Sequence, residues 1–112
     1  FAEHRPMTNT EPEIESGEFT PRPNPAILAT ADQMKEDIDK TDAILLDVRS
    51  TEEFTGENDR GNTRAGHLPG AVHLEWLDYV TADDVQMFRP PAELRSMFEG
   101  AGVTPDKRVS TY

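Results

Sequence analysis

Cysteine is absent from these 112 residues, which excludes disulfides, thiolate metal sites and a sulfur nucleophile within the stretch. A chain without disulfides suits a reducing compartment, so the expected location is cytoplasmic. Long apolar runs are lacking too. None approaches the ~18 residues of a spanning helix, and Phe1 to Arg5 are not a basic region leading into an apolar one, so neither membrane insertion nor a signal peptide is supported. Positive charge is scarce: 11 Lys and Arg face 22 Asp and Glu, and the net charge of −11 repels phosphate backbones and anionic headgroups at long range. Nucleic acid and membrane are therefore not expected partners. The three histidines, His4, His67 and His73, stand apart without zinc-site spacing, and no cofactor is expected.

What remains is polar but globular. Hydrophobic residues make up 35% and charged residues 29%, with nine Pro and seven Gly, so the length and composition fit one small, loop-rich domain. Residues 1–25 hold five Glu and five Pro, with Phe1, Met7, Ile14 and Phe19 as their sizeable apolar side chains. Pro21, Pro23 and Pro25 fix φ and remove backbone donors, which favours an extended arm or interdomain linker; a flexible, solvated tail is the alternative.

Order is expected from Ala26 onward. Thr30-Ala31-Asp32-Gln33 fits a capping box, and Met34 and Ile38 share one face of the following helix while Lys35, Glu36, Asp37, Asp39 and Lys40 fill the solvent face. Ala43 to Val48 is a continuous apolar run interrupted only by Asp47, as in a strand buried on both faces of a parallel sheet. Ser50-Thr51-Glu52-Glu53 is a second capping box opening a short helix that Gly56 stops, and Gly56 to Gly66 is a polar surface loop. Gly66-His67-Leu68-Pro69-Gly70 is a turn, and Ala71 to Leu74 form a second strand. Pro90 or Pro91 starts a third helix with Leu94, Met97 and Phe98 on one face, and Arg108 to Tyr112 begin a third strand. The expected core is Ile44, Leu45, Leu46, Val48, Val72, Leu74 and Val109, covered by Met34, Ile38, Leu94, Met97 and Phe98. This alternation implies right-handed parallel crossovers, with function gathered beyond the carboxyl ends of the strands. Asp47, Val48, Arg49 and whatever follows Tyr112 then share one edge.

Two motifs now stand in order. Leu46-Asp47-Val48-Arg49-Ser50 with Glu53-Phe54 and Gly56, then Gly66-His67-Leu68-Pro69-Gly70-Ala71-Val72, resemble the paired signatures of rhodanese-type sulfurtransferases. Glu75-Trp76, and Gly102 to Lys107 leading into Val109 to Tyr112, are similar to the second, catalytic domain of tandem-domain thiosulfate and 3-mercaptopyruvate sulfurtransferases. The resemblance covers roughly residues 18–112 and implies a rhodanese-like three-layer α/β fold with a parallel sheet, present only in part, over residues 26–112. It implies that residues 1–25 end a first domain and link it to the second. It also implies a nucleophilic cysteine directly after Tyr112, a following loop whose backbone amides stabilise the thiolate, and partners that are a small anionic sulfur donor, a thiophile acceptor and the remainder of the parent chain. These residues are then a fragment without the nucleophile, inert alone. The alternative is a non-catalytic rhodanese-like binding or regulatory module, and phosphatase relatives of the fold, with a longer loop after the nucleophile, are a third possibility.

Asp47 is either a carboxylate that orders the active edge or a polar strand end. Arg49 reads as a salt-bridging, carbonyl-binding group rather than a substrate ligand. Where some relatives carry a substrate-binding arginine, this chain has Glu53, which reads as a capping residue. His67 is expected to satisfy a backbone carbonyl, with acid–base chemistry as its alternative. Arg60 and Arg64 belong to a solvated loop or guide an anion through the acidic field, while Trp76 and Tyr79 pack partly buried or wall the substrate entrance.

The third strand has no following crossover to cover it, and apolar burial is worth about 25 cal/mol per Å². Residues 1–112 expressed alone are therefore expected to be disordered. Slow amide exchange across Ile44 to Val48 in a monomer would overturn that expectation.

Overall fold

The computed structural model describes Pro6 and residues 8–112. The expectations for Phe1 to Arg5, His4 among them, and for Met7 lie outside the described residues. Residues 8–24 carry no regular secondary structure and are exposed, Ile14 and Phe19 included. A single 3-10 turn, Pro25–Ile27, follows, started by Asn24, whose side chain accepts from the Ala26 N–H at 3.1 Å.

Both helix starts are capped where the local sequence places them, the first by a complete capping box and the second by its Ser50 half alone, since the Glu53 carboxylate binds the Ser50 hydroxyl and not its backbone N–H. Helix α1 (Ala31–Asp37) begins with Thr30 accepting from the Gln33 N–H while the Gln33 side chain accepts from the Thr30 N–H. Strand β1 (Ala43–Asp47) follows, then α2 (Thr51–Thr55), whose first turn is held by Ser50 accepting from the Glu53 N–H. Gly56 ends α2 at φ 86, and an added Cβ there would lie 3.1 Å from the Gly66 backbone nitrogen. Glycine is thus required twice over, by the left-handed backbone and by the close return of the loop. Strand β2 (Val72–His73), a 3-10 turn (Trp76–Tyr79), α3 (Pro91–Gly100) and β3 (Arg108–Thr111) complete the order. Between the 3-10 turn and α3, an antiparallel bridge joins Val80 to Phe88.

The sheet has three parallel strands in the order β2-β1-β3, with Leu46 beside Val72 and Thr111, and Ile44 beside Val109. The fold is mixed α/β with a parallel sheet, as a rhodanese-like fold requires. Its most buried apolar residues are Ala43, Leu45 and Leu46, all on the central strand.

The core is therefore smaller than the pattern implied. Ile44, Val48, Val72 and Leu74 are half-buried, as are Met34, Ile38, Leu94, Met97 and Phe98. Val109, expected inside, is 40% exposed because β3 lies at the sheet edge, where it borders cavities on the α1 and α3 sides. Trp76, expected to pack partly buried, is 53% exposed, whereas Tyr79 is half-buried, packs against Phe98 with the rings tilted and their centroids 5.2 Å apart, and donates to the Leu74 carbonyl at 2.9 Å.

Asp37 also departs from its solvent-face placement. Helix α1 stops early, Ile38 leaves the helical region and Asp39 takes φ 68, so the turn drops Asp37 against β3. There it is buried and pairs with Arg108 and, at 3.2 Å, with Lys40. Desolvation raises its pKa, but the hydrogen bonds and charges of Lys40 and Arg108 outweigh it and hold the carboxyl below its ordinary value.

Leu46→Ala in the full-length protein is expected to cost roughly 2–5 kcal/mol, the range for a buried leucine. Gly56→Ala should cost about 1–2 kcal/mol for the left-handed backbone alone. Urea denaturation midpoints check both, and a near-neutral Leu46→Ala would contradict the placement of β1 at the centre of the sheet.

Candidate functional site

The central strand ends on a carboxylate with no exposed surface. Asp47 Oδ1 accepts from the Arg49 backbone N–H and from Arg49 Nε, each at 3.0 Å, while Oδ2 accepts from Arg49 Nη2 at 2.5 Å. The same Nη2 donates to the Gly66 carbonyl at 3.0 Å, fastening the start of the glycine-flanked turn to β1. Burial pushes the Asp47 carboxyl up, but hydrogen bonds from the Arg49 side chain and backbone, the guanidinium charge and the Tyr112 hydroxyl together hold it below the ordinary aspartate value. The Asp47 hydrogen bond in turn raises the Arg49 pKa, so the pair is ionised throughout the neutral range.

Tyr112 completes this edge. Its backbone N–H donates to the Leu46 carbonyl and its carbonyl accepts from the Val48 N–H, so strand pairing continues past β3. The ring lies 5.2 Å from the Arg49 guanidinium carbon, and the hydroxyl accepts from the Leu68 N–H at 2.9 Å. One aromatic side chain thereby joins the ends of β1 and β3 to the turn before β2.

A second set of contacts seats α2. Phe54 is stacked between His67, at 3.8 Å, and His73, at 4.5 Å. His67 Nδ1 lies 2.7 Å from the Phe54 carbonyl and His73 Nε2 lies 2.9 Å from the Arg49 carbonyl, and each nitrogen must donate because a carbonyl only accepts. The imidazoles therefore serve as struts, His67 from the turn to the last turn of α2 and His73 from β2 to Arg49, between β1 and the α2 cap. Glu75 adds another, accepting from the Thr51 N–H at 3.3 Å.

The sequence candidates do not all converge. Asp47 and Arg49 are joined directly, and Arg49 binds a carboxylate and a carbonyl. Arg60 reaches Glu53, with Nε 3.5 Å from Oε2, and Arg64 is exposed on the same loop. Trp76 is tied to the edge through its backbone, donating to the Val48 carbonyl at 3.0 Å, while its side chain stays exposed. Sequence reasoning did not single out Tyr112, the Gly66 carbonyl or the Phe54 stack; the register of β3 against β1 is the signal that would have found Tyr112. Among the described residues no group of three or more His, Asp or Glu is placed to hold a metal ion, and no helix is long and apolar enough to cross a membrane.

The geometry defines an α/β domain with a parallel sheet whose carboxyl edge holds a buried aspartate paired with an arginine. The model of the rhodanese-like domain matches residues 30–112, and the chain belongs to that family. It is 35% identical to the sulfur carrier protein TtuD of Thermus thermophilus over 98% of this chain and 42% of that protein. It is 29% identical to a thiosulfate sulfurtransferase of Azotobacter vinelandii over all of this chain and 40% of the relative. A probable 3-mercaptopyruvate sulfurtransferase of Pseudomonas aeruginosa is 30% identical over 82% of this chain and 32% of its own length. Among solved structures, the anaerobic ergothioneine biosynthesis enzyme of Chlorobium limicola superposes with a TM-score of 0.63 and 27% identity, over 73% of this chain and 21% of that one. The chain thus spans less than half the length of each of these relatives.

A carboxyl with a lowered folded-state pKa contributes stability above its ordinary value of 3.8, and that contribution is lost as pH falls through the folded value. The urea midpoint is therefore expected to fall below about pH 4, more shallowly in Asp47→Asn. At pH 7 that substitution should cost about 3 kcal/mol, the low end for a broken buried pair, because the Arg49 side chain keeps 28% of its exposure. Identical acid limbs in the two proteins would show that Asp47 does not carry this dependence.

Proposed function

We propose that residues 26–112 are the amino-terminal half of a catalytic rhodanese domain, preceded by a linker over residues 1–25. The parent protein moves sulfane sulfur from thiosulfate or 3-mercaptopyruvate to a thiophile such as cyanide. The observation that supports this reading is the meeting of the β1 and β3 ends at Asp47, Arg49 and Tyr112, on the carboxyl edge of the sheet. The names of the relatives support the substrate class, since they include sulfurtransferases for both donors and a sulfur carrier.

The proposed nucleophile is a cysteine directly following Tyr112. Its thiolate attacks the outer sulfur of thiosulfate, an S–S bond forms to the enzyme, the S–S bond of the donor breaks, and sulfite leaves with the electron pair. Cyanide then attacks the outer sulfur of the persulfide, thiocyanate departs and the thiolate returns. Carbon, nitrogen and oxygen side chains cannot store sulfur in this way, so residues 1–112, with no cysteine, supply the scaffold and not the reacting atom. In this reading Asp47 and Arg49 position the edge, and Arg60, Arg64 and Trp76 are the proposed lining of the donor's entrance. The competing module reading requires a residue other than cysteine after Tyr112.

The full-length protein is expected to form thiocyanate from thiosulfate and cyanide with ping-pong kinetics and to carry a sulfur that cyanide removes. Residues 1–112 alone should give only the buffer rate. Turnover by residues 1–112, or a full-length protein with sequential kinetics and no persulfide mass, would refute the reading. The peptide mass that includes the residue after Tyr112 separates an enzyme from a module.

A further inference from the structure

We propose that Glu53 is a positioning residue that holds Arg60 at the carboxyl edge to receive an anionic sulfur donor, an inference that rests on the sulfurtransferase reading. A chain with a net charge of −11 repels a dianion, so capture needs a local cation. Arg49 is poorly suited. Its Nε and Nη2 are engaged by Asp47, Nη2 also serves the Gly66 carbonyl, and its charge is balanced at once by a buried carboxylate.

Arg60 is held differently. Its Nε lies 3.5 Å from Glu53 Oε2, and its side chain remains 61% exposed, so the rest of the guanidinium faces water. Glu53 is itself fixed from two sides. Its N–H donates to Ser50 Oγ at 3.4 Å, and Ser50 Oγ donates to Glu53 Oε2 at 3.3 Å, leaving the Glu53 side chain only 17% exposed. Ser50 follows Arg49 directly, so this relay connects the loop cation to the end of β1. The return is built into the loop: Arg60 adopts φ 50, an unfavourable value for a residue with a Cβ, and Gly61 follows at φ 81. The side chains of Asn58 and Asp59 accept from the Arg60 and Gly61 N–H groups at 3.0 and 2.8 Å.

The proposal turns on a sign. If Glu53 acted only through its charge, removing that charge would ease binding of an anion; if it acts by holding Arg60, removal must weaken binding. In the full-length protein, with thiosulfate as donor and cyanide as acceptor, Glu53→Gln is expected to raise KM for thiosulfate about threefold, as for loss of an exposed ion pair, with kcat unchanged. Glu53→Asp should restore part of the loss. Arg60→Gln should raise KM as well, and in its background Glu53→Gln should cause no further rise, because the pair acts as one unit. A KM that falls or stays constant in Glu53→Gln overturns the proposal, as does a rise that persists undiminished beside Arg60→Gln.

Titration calorimetry with thiosulfate, in proteins whose proposed nucleophilic cysteine is replaced by serine so that no sulfur is transferred, repeats the comparison as binding alone. Weaker binding by Glu53→Gln supports the positioning role, and equal or tighter binding overturns it. A wild-type protein that binds thiosulfate but forms no thiocyanate would instead count against the sulfurtransferase reading alone.

Discussion

A carboxylate buried at the end of the central strand must find its counter-charge locally, and the arrangement of this edge follows from how Asp47 does so. The backbone N–H and the guanidinium of Arg49 satisfy it, which forces the chain to fold back on itself immediately after β1. With the guanidinium fixed there, its remaining reach selects the Gly66 carbonyl and the face of Tyr112. Three segments distant in sequence are thereby brought to one point. Removing the charge would leave an arginine without its counter-charge at a place where water has limited access, which is why the pair matters more than its surface counterparts such as Lys35 with Asp32.

The short helix α2 depends on the same junction. Five residues do not make a stable helix by propensity, so α2 needs its cap, its stop and its docking contacts. Ser50 supplies the cap and Gly56 the stop, while Phe54 is clasped between His67 and His73, whose ring nitrogens bind backbone carbonyls. The histidine of the glycine-flanked turn thus acts in packing, and the turn is fastened at Gly66, His67 and Leu68 in succession.

Acidity shapes the surface around that edge. Arg49 and Arg60 are both partnered, but the partners differ: a buried carboxylate consumes the charge of Arg49, whereas the half-exposed pairing of Arg60 with Glu53 spends one nitrogen and leaves the rest outward. The two pairs have different consequences for an incoming anion although both are arginine with an acid.

The amino-acid sequence alone determined what depends on neighbours within four residues. The Thr30 to Gln33 and Ser50 to Glu53 caps, the Gly56 stop, the apolar run of β1 and the α3 stripe were all legible, because their hydrogen bonds and periodicity are local. The motifs around Asp47 and Gly66 also carried the family. Tertiary structure decided the rest. Asp37 lies 71 residues from Arg108, Leu68 lies 44 from Tyr112, and Gly66 lies 17 from Arg49, so no local rule reports these contacts. Val109 and Trp76 have the side chains of core residues and are exposed, since burial is set by a strand's rank in the sheet and by what covers it. Local chemistry chose the elements, and the parallel register of β3 against β1 chose which residues share the edge.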